Sequence, residues 1–274
     1  MNDLPANRES LWVNEPARLL ATVSLFITVY LGSFLPLAFA AAAAGARNHF
    51  WIALGSASVA TWLTVRVMER GEWSIGFFVP PARAVRELIL GVAFAAAVVG
   101  VSDALILFAS SLRHERGSGV AWLELAVVFV PAAVHEEIVF RGYLFQRIRS
   151  WNRSVAIGLT SAVFALLHAR NEGITAIALT NLVLAGVLLA LAYERYRRLW
   201  FPIGIHLGWN VLSGPLLGYD VSGFASSTSL LRTIGDAPTW LSGGTFGMEG
   251  SVIMTVVEIA AAAILVRTNR KHSP

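Results

Sequence analysis

Long apolar runs separated by short, arginine-bearing connections set the rhythm of this chain. A helix needs roughly 18 or more predominantly apolar residues to cross a bilayer core. Eight segments read as such spans: 19–44, 50–67, 88–112, 120–140, 154–169, 174–193, 199–217 and 250–266. The fifth and seventh are the shortest or most interrupted. The pattern predicts an all-α polytopic membrane protein of about eight helices. No connection is long enough for a soluble domain between them, so residues 1–274 read as a single integral membrane unit.

Composition agrees: 56% of residues are hydrophobic and 14% charged, against about 25% charged in soluble domains. The polar start Met1 to Ala17 has no short apolar core with a small-residue cleavage site, which predicts an uncleaved chain anchored by its first span. There are no cysteines, which excludes disulfides and thiolate chemistry and leaves histidine, carboxylate and amide groups.

Charge placement sets the expected orientation. Eight spans put both termini on one side, and most basic residues gather there: Arg8 and Arg18; Arg66, Arg70, Arg83 and Arg86; Arg141, Arg147, Arg149 and Arg153; Arg195, Arg197 and Arg198; Arg267, Arg270 and Lys271. The other side has Arg47, Arg113, Arg116, Arg170 and Arg232. The positive-inside rule then predicts a multi-pass protein of the cell membrane with both termini cytoplasmic. The net charge of +4 reads as this topology signal. No basic patch with interleaved aromatics argues for nucleic acid.

Two connecting segments stand out. Residues 68–87, with Trp73, Phe77, Phe78, Pro80 and Pro81, fit an interfacial amphipathic element. The Gly- and Ser-rich connection from about Gly218 to Gly250 is the longest, and reads equally well as a cover over a cavity mouth or as an ordinary exposed loop. No internal repeat is evident, which weakens a transporter reading.

The chemistry lies in polar residues within spans. A charge at the bilayer centre costs about 2.5–3.5 kcal/mol or more on insertion scales, so such groups are paired, inward-facing and functional. The fourth span carries His135-Glu136-Glu137-Ile138-Val139-Phe140-Arg141. Glu137 and Arg141, four apart, share a helical face and can pair. Glu136 is turned away by about 100° and is left as the free carboxylate, a candidate general base. The fifth span offers Phe164 and His168, again four apart. The seventh offers His206 and Asn210 on one face, with Gly204 and Gly208 forming a small-residue surface for close helix packing. Taken singly, these could be a buried ion pair, a satisfied histidine and a packing motif. Together they can bind a metal or activate water. They do not form a standard zinc-peptidase helix, because Val139 stands where H-E-x-x-H needs its second histidine.

The ordered set E-E-x-x-x-R with the tail Phe140-Arg141-Gly142-Tyr143-Leu144, then F-x-x-x-H, then H-x-x-x-N resembles the CAAX protease and bacteriocin-processing (CPBP) family. This is the Abi-type group of intramembrane endopeptidases. The motif-bearing core covers about residues 120–217, and Gly243-Gly244-Thr245-Phe246-Gly247-Met248-Glu249-Gly250 also resembles a segment of bacterial members. The resemblance implies an eight-helix fold around an intramembrane catalytic cavity. It implies that Glu136 and His168 activate the attacking water and that His206 and Asn210 stabilise the oxyanion. Glu137, Arg141 and Phe164 would be supporting residues. Glu136, His168 and His206 are the candidate ligands if zinc is the cofactor. The implied partner is a peptide or protein substrate, membrane-anchored or not, in the lipid bilayer. Two other classes stay open: a transporter or proton-coupled carrier using the Glu/His cluster, and a non-catalytic membrane scaffold or immunity protein.

Overall fold

The computed structural model describes residues 15–46, 49–70 and 74–270. Residues 1–14 of the polar opening stretch, with Arg8, and Arg47, Trp73 and Lys271 lie outside the described residues. Helices α1 (Glu15–Ala43), α2 (Phe50–Met68) and α3 (Pro81–Ala109) come first, followed by strand β1 (Arg113–Arg116). Then α4 (Trp122–Glu124), a π turn (Leu125–Phe129) and α5 (Val130–Arg141) run on as one rod. Helices α6 (Tyr143–Trp151), α7 (Arg153–Leu167), α8 (Ala176–Tyr196) and α9 (Trp200–Val211) follow, and a second π turn (Leu212–Leu216) extends α9. Strand β2 (Leu231–Ile234), α10 (Thr239–Ser242) and two 3-10 turns lead to α11 (Val252–Arg270).

Among the described residues, five helices are long and apolar enough to cross a membrane: α1, α2, α3, α8 and α11. The other three predicted spans coincide with the α4–α5 rod, with α7 and with α9 and its extension, which are shorter or interrupted. The protein is an all-α polytopic membrane protein. The described residues also include a two-stranded antiparallel ribbon in which β1 pairs with β2. Large apolar side chains such as Leu20, Phe39, Trp62, Phe108 and Ile264 face outward, as lipid-facing surfaces require.

Both interruptions have a covalent cause. Proline lacks an N–H and its ring collides with the carbonyl four residues earlier. Pro131 lies two residues beyond the first π turn, so its ring meets the carbonyl of Val127 inside that turn, and Pro215 lies inside the second. The wider turn absorbs the misfit at both places.

Glycine sets the closest helix contact. The α3–α9 crossing brings Gly91 against Gly204, where a Cβ on either would collide with the other helix's backbone; one on Gly208 would lie 3.0 Å from Val92 Cα. The small-residue surface predicted on the seventh span therefore receives α3.

Two local expectations change. Helix α3 begins at Pro81, where proline is well placed in a first helical turn, several residues before the predicted span. Residues 74–80 are irregular: Phe78 is 89% exposed, while the Phe77 carbonyl accepts from Trp200 Nε1 at 2.7 Å. Second, α6 was not foreseen. It is too short for a spanning pattern, yet it buries Tyr143, Phe145, Gln146 and Ile148. Its polar side joins an ionic layer: Tyr143 donates to Glu69 at 2.6 Å, Arg147 lies 3.3 Å from Glu69, and Arg149 pairs with Glu194. Arg18 also reaches Glu69, and Arg198 reaches Glu87. Six arginines of the predicted basic side, Arg18, Arg147, Arg149, Arg153, Arg197 and Arg198, thus meet the acidic partners Glu69, Glu87 and Glu194.

Candidate active site

Three of the motif-bearing elements surround one cavity of about 360 Å³. Glu136 from α5, His168 at the end of α7, and His206 and Asn210 from α9 all line it. The rest of the wall is mainly apolar.

Glu137 and Arg141 lie behind this surface and are both fully buried. The guanidinium Nη1 donates to Glu137 Oε1 at 3.1 Å and Nη2 donates to the Gly186 carbonyl at 3.0 Å. Gly186 is where α8 meets α7; a Cβ there would lie 2.7 Å from Ser161 Cα. The bare backbone at this crossing is what Arg141 reaches. The guanidinium also sits 5.2 Å from the Phe164 ring centre and 5.8 Å from that of Phe140, close enough for cation–π attraction.

Glu137 holds a histidine as well. His206 Nδ1–H donates to the same Oε1 at 2.9 Å, which leaves Nε2 facing the cavity, 3.8 Å from Glu136 Oε2. That oxygen of Glu136 has no hydrogen-bond partner among the described residues. One carboxylate is therefore committed to structure, and its neighbour, rotated about 100° around the helix, stays free.

His168 is oriented by the helix end. The last carbonyls of a helix lack intrahelical partners. Here the Phe164 carbonyl accepts from His168 Nδ1–H at 2.8 Å. This donation fixes the tautomer and leaves Nε2 as a lone-pair donor. The Phe164 ring packs on His168 at 4.8 Å and edge-on to His206 at 6.2 Å, so one aromatic side chain spaces both imidazoles.

Among the described residues no group of three His, Asp or Glu side chains converges closely enough to hold a metal ion. Glu136, His168 and His206 are thus not a ready-made zinc ligand set.

The long connection contributes to the site. Val221, Ser222, Phe224 and Glu249 line the cavity, so part of it is wall rather than free loop. Glu249 is buried and accepts three hydrogen bonds, from Trp209 Nε1 (2.7 Å), the Ser222 amide (2.7 Å) and the Ser222 hydroxyl (2.6 Å). Burial pushes its carboxyl above the usual range, opposed by these donors. His135 also lines the cavity, its Nε2 2.8 Å from the Tyr30 hydroxyl, as do Asn171, Asn181 and Glu258. Sequence reasoning gave none of these a role. For Glu249 the signal was available, since its Gly-rich segment had been singled out. For Glu258 it was a lone carboxylate in the last span.

Comparison with known proteins falls on this region. Residues 118–212 match the model of a family described as Type II CAAX prenyl endopeptidase Rce1-like. The motif-bearing segment is Rce1-like. The match covers about a third of the chain and holds the α4–α5 rod, α6, α7, α8 and α9, hence Glu136, Glu137, Arg141, Phe164, His168, His206 and Asn210. Glu249 and Glu258 lie outside it. No curated protein and no solved structure matches the chain.

Proposed function

We propose that this protein is an intramembrane endopeptidase of the CAAX type, working in the cell membrane with both termini in the cytoplasm. What carries the reading is the cavity: Glu136, His168, His206 and Asn210 come from three separate helices and line one space. The Rce1-like match over the same segment supports it.

In this reading Glu136 takes a proton from the attacking water, while His168 Nε2 holds the water's other hydrogen. The hydroxide adds to the scissile carbonyl. His206 Nε2 and the Asn210 amide donate to the oxygen that becomes negative. A histidine that donates from both nitrogens must carry both protons, and Glu137 holds the one on Nδ1. Glu136 then returns its proton to the departing amine, acting first as base and then as acid. Apolar walls limit competing water and strengthen these interactions. The substrate is a peptide or protein whose cleaved bond can enter the bilayer-level cavity.

The test uses purified protein in vesicles and a panel of prenylated CAAX peptides. Glu136→Gln and His168→Ala each lower kcat by about 10²–10⁴-fold, the usual range for a lost acid–base group, with thermal stability retained. Undiminished cleavage by well-folded variants overturns the assignment.

A further inference from the structure

The cavity has a second acidic pole that the proposed reaction does not use. Glu258 projects from α11 into its wall and is only 1% exposed. Among the described residues it makes no ion pair, and its Oε2 has no hydrogen-bond partner. Its surroundings are apolar. Met254 and Ala261, one turn to either side, belong to the same packed cluster as Leu188 and Leu189 of α8, and those two leucines line the cavity beside it.

Glu249 lines the same cavity but differs chemically. Three donors already satisfy it, whereas among the described residues Glu258 has none. A buried carboxylate without a partner is costly, and a cation brought by a ligand removes that cost. Among the described residues no metal-binding trio exists to make this an ion site. Leu182, Ala185, Leu188 and Leu189, which line the same cavity, are aliphatic. Aliphatic walls that carry an unpartnered carboxylate match a side chain with a hydrocarbon stem and a charged head.

We propose that Glu258 receives the cationic end of a lysine or arginine side chain of the peptide substrate, making it a specificity-determining residue. The inference rests on the endopeptidase reading, and names a feature of the substrate that the reading leaves open. Glu249 shapes the neighbouring wall through Trp209 and Ser222 and adds negative potential without competing for the head group.

The test is a panel of fluorescent peptides in which each position in turn carries lysine or norleucine, which keeps the stem and removes the charge. In the wild-type protein one position favours lysine by about tenfold or more in kcat/KM, the scale of a single pocket contact. In Glu258→Gln that ratio falls toward one, whatever happens to the absolute rates. Cleavage with no lysine preference at any position overturns the subsite while leaving the endopeptidase reading intact, and does so even if the variant fails to fold. A ratio that survives in Glu258→Gln also overturns it. Absence of cleavage of any peptide by the wild-type protein instead overturns the endopeptidase reading, and the subsite with it.

Discussion

His206 Nδ1 lies 2.9 Å from Glu137 Oε1, the oxygen that Arg141 also holds at 3.1 Å. One carboxylate oxygen thus joins the fourth predicted span to the seventh, and Arg141 extends the chain of contacts to Gly186 of α8. The adjacent Glu136 is left out of this network and faces the cavity. Which helix face each occupies separates the buried, paired carboxylate from the one that faces the cavity.

Removing Glu137 should therefore unfold the site as well as disable it. Glu137→Ala leaves the Arg141 guanidinium fully buried without its counter-charge, and breaking such a pair costs about 3–5 kcal/mol. The expected result is a large drop in thermal midpoint in detergent. By contrast, Glu136→Gln should leave the midpoint close to wild type. Equal midpoints for Glu137→Ala and Glu136→Gln would show that the Glu137–Arg141 pair does not hold the helices.

A methyl group at Gly186 should act on the same network from the other side. Gly186→Ala places a Cβ 2.7 Å from Ser161 Cα, so α7 and α8 must part or twist. Overpacking of this kind costs about 1–3 kcal/mol, and moving the carbonyl weakens its bond to Arg141. Lower thermal stability with partial loss of cleavage is expected. Gly158→Ala on α7 is the control: a Cβ there has nothing within 4 Å, and it should change little.

High pH should loosen the ribbon end of the molecule. Tyr219 donates to Asp103 at 2.8 Å, and Asp103 also pairs with His114 of β1. Burial, with the Asp103 charge beside it, holds the Tyr219 hydroxyl well above the ordinary tyrosine range. The folded state thus keeps a proton that the unfolded chain releases near pH 10. Its stabilising contribution is complete below about pH 10 and is lost as pH rises toward the folded value. Thermal midpoints measured from pH 8 to 11 should fall more steeply in wild type than in Tyr219→Phe. Parallel curves would refute the assignment.

Much of the helical layout was legible in the sequence because lipid imposes a simple rule. Backbone groups must be satisfied within each span, so an apolar run of sufficient length is a helix. The α4–α5 rod, α8 and α9 lie within a few residues of the predicted segments. Helix α6 was not legible, since nine residues with one buried face carry no spanning signal. The i, i+4 spacings placed Glu137 with Arg141 and His206 with Asn210 on common faces. They could not show that Glu137 also holds His206, a contact between residues 69 apart in sequence.

The sequence by itself determined that this is an all-α membrane protein, that three of its spans carry pairs of polar or site-lining residues four apart, and that Glu136 and Glu137 point in different directions. Periodicity and the cost of charge in lipid act locally along the chain, so they can be read without coordinates. Only the tertiary structure decided which groups share the cavity. It brought Glu249 and Glu258 to its wall and, among the described residues, left Glu258 without a partner and Glu136, His168 and His206 short of a ready-made metal ligand set. Those outcomes depend on how helices distant in sequence pack at Gly91, Gly186 and Gly204, and a hydrophobic pattern carries no information about distances between them.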